Sequence, residues 1–286
     1  MTDTESNRLS NEEESFLDET NSFVFEDEYS GVITLVGTVH VSKETRKRVI
    51  ETINNMKPDV VAIELDSDRL YSMFERNADI VQGDVSTESG FRDLLRKNQA
   101  KMFDKEGLLK PGEADMLPAA NTATELGSRI ALIDMSIDEL KSQVKSNVFP
   151  NGQFDLEILN KSSDEIIQSI MDLFKSRKDM ASKMQNEGIS SIVENMENKP
   201  ISDVKKQFEP LENLAPEFVN ALIDERDKYM SGRLHWLRKN GYDVVSVMGR
   251  GHIEGVYYYL SNPNEIPTEY VTEPDWYGYE EITISN

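Results

Sequence analysis

Two short apolar runs at opposite ends of the chain, VITLV at 32–36 and VVSVM at 244–248, each pass straight into a Gly-x-x-His, GTVH at 37–40 and GRGH at 249–252. A run this short, closed by glycine, reads as a strand covered on both faces. Strands of that kind belong to parallel sheets. SKETRKRVIETINNMK follows the first motif as an amphipathic helix, with Ser42 as N-cap, Val49, Ile50, Ile53 and Met56 on its apolar side and Pro58 at its end. DVVAIEL then supplies a second buried strand. Strand, helix and strand in this order form a βαβ unit, whose strands run parallel.

The rest of the chain fits one α/β architecture: a mostly parallel central sheet built from both chain ends, with a long helical insertion at about 163–239. RIALIDM is a third strand, YDVVSVMG a fourth, and TEYVTEP a candidate edge strand. Helices are expected around DRLYSMFER, over FRDLLRKNQAKMF after a polar loop at 78–90, over the alanine-rich segment interrupted near Pro118, from Ser136 to about Lys145, and over HIEGVYYYL. Residues 147–162 read as loop, and the insertion breaks near Gly188, Pro200 and Pro210–Pro216. FVFEDEYSGVITLVGT implies a short hairpin leading into the first buried strand. The domain reading is an acidic, disordered tail over 1–28, an α/β domain over 29–262 and a C-terminal extension over 263–286.

Ligands of open parallel sheets bind beyond the carboxyl ends of the strands. His40 follows the first strand there, Glu64 closes the second, Asp134 closes the third and His252 follows the fourth. Four runs chosen for apolarity alone thus deliver four groups able to bind metal or move protons to one edge. Two imidazoles with one or two carboxylates suit a catalytic divalent metal that keeps an open water position; Mn, Co, Zn and Fe all fit the ligand set. Arg226, in ERDKYM, is a planar cation suited to a substrate carbonyl or carboxylate, with Asp227 beside it. Glu113, after Pro-Gly, stands at a helix head, where a carboxylate is favoured. Gly37, Arg69, Glu113, Asp134 and Arg250 complete the expected substrate surroundings. Plainer readings stay open: the histidines as packed core residues, Glu64 paired with Arg69, Asp134 as a helix cap, and His235 as packing.

Cysteine is absent, which excludes disulfides, a thiolate nucleophile and cysteine metal sites. The net charge of −22 argues against nucleic acid. Residues 1–28 hold ten acids against one arginine, so the body of the chain is acidic too. Adaptation to molar salt, an acidic tail and a basic partner are the three explanations, and ample lysine weighs against the first. The N-terminus has neither a basic n-region nor an apolar h-region, and the chain has no long apolar run. A cytoplasmic protein without an integral membrane segment is expected. The partners expected are a peptide or small-molecule substrate and a second copy of the chain in a homo-oligomer.

TLVGTVHVS, PDVVAIELDSDR, PGEADMLPAANTATELGSRIALIDMSIDEL, ALIDERDKYMSGRL and VVSVMGRGHIEGV, in this order, resemble the TraB/PrgY family, grouped with Tiki, GumN, ChaN and erythromycin esterase-like proteins. The resemblance covers about 31–260 and implies an EreA/ChaN-like α/β fold with both Gly-x-x-His elements at one active-site edge. Tiki-type members are metal-dependent proteases, and bacterial pheromone-shutdown members reduce the activity of a secreted peptide signal. By this resemblance His40, His252 and Glu64 are the metal ligands, and Glu64, Arg226 and Asp227 the catalytic groups. Two positions depart from the pattern: Met135 follows Asp134 where many relatives have arginine, and Glu113 is followed by Ala114. Many relatives also carry a C-terminal membrane region. The acidic composition resembles that of a soluble haloarchaeal member. A metal-dependent hydrolase of peptides is the leading expectation. A non-catalytic regulatory or ligand-binding protein and a purely structural role are the others.

Overall fold

The apolar runs from the two ends of the chain lie side by side. A computed structural model describes residues 22–25, 31–77, 114–148, 188–206, 209, 212 and 216–277. The strands are Ser22–Phe25 (β1), Ile33–Thr38 (β2), Val60–Ile63 (β3), Arg129–Leu132 (β4), Val244–Gly249 (β5) and Asp275–Tyr277 (β6), in spatial order β1-β2-β5-β3-β4-β6. The inner four are parallel, and both edge strands are antiparallel to their neighbours. The α/β class with a mostly parallel sheet is therefore as the sequence implies, and β1 with β2 forms the expected hairpin.

Two details differ. The strands of the βαβ unit, β2 and β3, run parallel but are not neighbours, because β5 lies between them. Their connecting helix Lys43–Met56 (α1) has 14 residues. At strand spacings of about 4.8 Å a helix of that length spans one intervening strand without strain. The last strand is DWY at 275–277, whereas Thr268–Tyr270 within TEYVTEP forms a 3-10 turn.

Side-chain alternation sends each inner strand's residues to two separate apolar layers. Ile33, Leu35, Val60, Ala62, Val244 and Met248 pack with Met230, Leu234, Ile253 and Val256. Val36, Val61, Ile63, Val245 and Val247 pack on the other face with Val49, Ile53, Leu70 and Ala120. Burial on both faces is why these strands read as continuous apolar runs.

The helices obey local chemistry. Ser42 caps α1 by accepting from the Glu44 and Thr45 amides, but Met56 is exposed, so the apolar side is narrower than the sequence implies. Ser67–Asn77 (α2) follows β3. Asp115 caps Met116–Leu126 (α3), where Pro118 falls in the first turn and interrupts nothing, since first-turn amides lack intrahelical partners. Ser136 and Glu139 form a capping box for Ile137–Val148 (α4). Helices at 188–198 (α5) and Ile201–Lys205 (α6) flank Pro200. A continuous helix (α7) then runs from Pro216–Val219 through a π segment, Asn220–Asp224, into Glu225–Lys239. Arg250–Ser261 (α8) springs directly from β5. Of the expected disordered tail over 1–28, residues 22–25 are strand β1, paired with β2, and the others lie outside the described residues, as do the loop 78–90 with the helix after it, Glu113, and the chain from 149 to 187. Among the described residues no helix is long and apolar enough to cross a membrane.

Candidate functional site

The parallel strands release their carboxyl ends at one edge in the order β2, β5, β3, β4. That order sets His40, His252, Glu64 and Asp134 in a row, with the two histidines on adjacent strands. The motifs are offset by one residue, Thr38 standing opposite Gly249. A Cβ on Gly249 would lie 3.1 Å from His40 Nε2 and 3.4 Å from Glu64 Oε2. The bare glycine is what lets these two groups approach each other across β5.

Each imidazole is held at Nδ1 by a buried carboxylate. His40 Nδ1 lies 2.5 Å from Asp115 Oδ2, which also accepts from Thr38 Oγ1 at 2.7 Å. Asp115 Oδ1 accepts from the Met116 amide at 2.8 Å, so the helix cap and the histidine partner are one side chain. His252 Nδ1 lies 2.6 Å from Asp227 Oδ1, and its Nε2 lies 3.3 Å from Glu64 Oε1. A carboxylate on Nδ1 fixes the ring and turns Nε2 to the outer partner.

Glu64 is the hub. Its Oε2 accepts from the Gly249 amide at 2.6 Å and its Oε1 from Arg226 Nη2 at 2.6 Å. Arg226 also forks onto Asp134, Nη2 to Oδ2 at 2.6 Å and Nε to Oδ1 at 3.0 Å. Arg69 joins the far side: its Nη1 lies 2.9 Å from Asp134 Oδ2, its Nε donates to Asp66, and its Nη2 donates to the Met135 carbonyl at 2.7 Å. Glu64 thus pairs with Arg226 and His252, and Arg69 pairs with Asp66 and Asp134.

These contacts govern protonation. Burial alone would lower the His252 pKa, but the Glu64 and Asp227 carboxylates outweigh it and push it up to about 10. Burial likewise opposes the charge on Glu64, yet His252, Arg226 and His40 hold its carboxyl well below the usual range. His40 is also raised, burial opposing and Asp115 prevailing, and its side chain is 50% exposed against 11% for His252. One imidazole therefore faces the mouth of the site and the other its floor.

Five carboxylates, Glu64, Asp66, Asp115, Asp134 and Asp227, are buried here. Two guanidinium groups, Arg69 and Arg226, face them directly. The two imidazoles are the other groups of this cluster that can carry positive charge. Among the described residues no three of these groups stand as a ready metal cage. What fits a divalent cation is the chemistry of the donor set: two rings anchored at Nδ1, an obligate anion in Glu64, and a surplus of buried negative charge.

The sequence-derived residues are not all in this cluster. Gly37 packs under Ile253 and Arg250, and Arg250 donates to backbone carbonyls of α5. His235 is buried further along α7. Asp115, Asp66 and Thr38 were not singled out. An aspartate immediately before an apolar helix start is an N-cap signal and marks Asp115, two residues beyond the Glu113 chosen for that role. The π segment just before Arg226 and Asp227 has no sequence signature, although such segments often accompany functional sites.

The family model for the TraB/PrgY/gumN family matches residues 24–263. An uncharacterized protein of Methanocaldococcus jannaschii, MJ1365, is 29% identical over 247 residues, which are 82% of this chain and 55% of that protein. The chain therefore spans just over half the length of this relative. The matched segment takes in both Gly-x-x-His elements, Glu64, Asp115, Asp134, Arg226 and Asp227, and the chain belongs to the TraB/PrgY/gumN family.

Proposed function

We propose that this protein is a metal-dependent hydrolase acting on peptides, with His40, His252 and Glu64 as the cation's ligands. The observation that carries this reading is the pair of imidazoles, each anchored at Nδ1 by a buried carboxylate, on either side of the ionised Glu64. A divalent cation bound there would polarise the scissile carbonyl and make water acidic enough to attack at neutral pH. Asp115 and Asp227 hold the Nδ1 protons and so keep each Nε2 lone pair turned outward. In the metal-free protein the His252 imidazolium and the Arg226 guanidinium hold the Glu64 carboxyl well below its usual range, and a cation in place of the His252 proton would keep it an anionic ligand. Arg226 fixes Glu64 and Asp134 through Nη2, while its Nη1 makes a long contact, 3.4 Å, to the Leu222 carbonyl. Nη1 is the donor best able to turn to a developing oxyanion. The peptide as substrate class comes from the family resemblance.

A second reading has its own observation. Both nitrogens of His252 face carboxylates, as in a closed ion-pair network that needs no metal. That arrangement suits a regulatory or ligand-binding protein of the pheromone-shutdown type. Elemental analysis of tag-free protein separates the two. The hydrolase reading expects one divalent metal per chain, its loss in His40→Ala/His252→Ala, and turnover of a peptide library that disappears in either single variant. A wild-type protein that takes up no Mn, Co, Zn or Fe and cleaves no peptide rejects it in favour of the second.

A further inference from the structure

The two Gly-x-x-His elements share a third partner, the carboxyl end of α5, which plays no part in the chemistry above. Arg250, inside the second motif, donates through Nη1 to the Met196 carbonyl and to the Glu197 carbonyl at 2.7 Å, and through Nη2 to the Lys199 carbonyl. Carbonyls at a helix end lack intrahelical partners and carry the negative end of the helix dipole, so a guanidinium is well matched to them. From the same turn Glu197 reaches the first motif. Its Oε1 accepts from Thr45 Oγ1 at 2.5 Å and its Oε2 from Arg48 Nη2 at 3.1 Å. The same Arg48 nitrogen donates to the Gly37 carbonyl at 2.9 Å, and Thr45 Oγ1 accepts from the Val39 amide at 3.0 Å. One helical turn thus grips position 250 of one motif directly and positions 37 and 39 of the other through single relays. Ile201, just beyond Pro200, is 1% exposed in the core layer against α7 and α8, which anchors this turn to the domain.

We infer that the carboxyl end of α5 is a clamp that sets the spacing of the two histidine motifs, with Arg250 and Glu197 as its positioning residues. The inference rests on the placement of the proposed site at His40 and His252, and not on its chemistry. The chain has three histidines, so the imidazole NMR spectrum of the metal-free protein carries two site signals and one internal reference, His235. Arg250→Ala/Glu197→Ala is expected to move both site signals and leave His235 in place. Peptide hydrolysis, where present, should lose about 10- to 100-fold in kcat. Arg250→Lys, whose ammonium cannot bridge the several carbonyls, and Glu197→Gln, which keeps an acceptor for Thr45, should each give smaller shifts and partial rescue of kcat. If the alanine pair fails to fold, this conservative pair decides the question. A protein that hydrolyses nothing still yields the spectra, so failure of the hydrolase reading is distinguishable from failure of the clamp. Unchanged site signals in folded variants overturn the clamp.

Discussion

His40 and His252 lie in matching motifs and each has its own carboxylate on Nδ1, yet they differ in exposure, 50% against 11% for the side chains. His252 is the one whose protonation matters to stability. Its pKa is raised to about 10 by Glu64 and Asp227 against the opposing effect of burial. A group raised in this way contributes fully below its unfolded value of about 6.5 and loses its contribution as pH climbs through the folded value. Metal-free protein should therefore lose stability, on the order of a few kcal/mol, between about pH 7 and pH 10. Urea denaturation across that range should show the fall, and His252→Gln should flatten it. An equal fall in the variant would mean that another group carries the pH dependence.

At the scale of elements, α8 carries its own test. A Cβ on Gly255 would come within 2.0 Å of Asp227 Oδ2, whereas one on Gly251 would meet nothing within 4 Å. Gly251→Ala should raise stability by about 0.5–1 kcal/mol through helix propensity. Gly255→Ala should lower it by about 1–3 kcal/mol and displace Asp227 from His252. Thermal melts check the first statement, and the His252 NMR signal checks the second. Opposite signs in one helix separate propensity from close packing. Sequence alone makes both glycines look alike. The capping residues, by contrast, were legible: Ser42 and Ser136 sit where their side chains bond local amides, an interaction that needs no tertiary context. The shift of the edge strand from TEYVTEP to DWY was not legible. Arg129 stacks its guanidinium 3.4 Å from the Trp276 ring, a contact between strands that no local pattern encodes.

For the whole molecule the governing quantity is the net charge of −22. Self-repulsion of that size is relieved by screening, with a Debye length of about 3 Å at 1 M salt against about 10 Å at 0.1 M. The melting temperature should rise from 0.1 M to 2 M KCl, an expectation that calorimetry checks. A flat or falling profile would favour a basic partner as the reason for the acidity.

Apolar runs, breaks and caps were enough to determine the four inner strands, helices α1 to α4 and α8, and the edge at which His40, Glu64, Asp134 and His252 emerge, because periodicity and strand polarity are properties of short segments. The insertion of β5 between β2 and β3 was decided by long-range pairing, and it is this that makes the two histidines neighbours. The choice of Asp115 and Asp227 as ring partners, the exchange of Arg69 for Arg226 at Glu64, and the grip of α5 on both motifs were settled in the same way. A carboxylate's partner depends on which side chains share its buried volume, and that volume exists only once distant segments have packed.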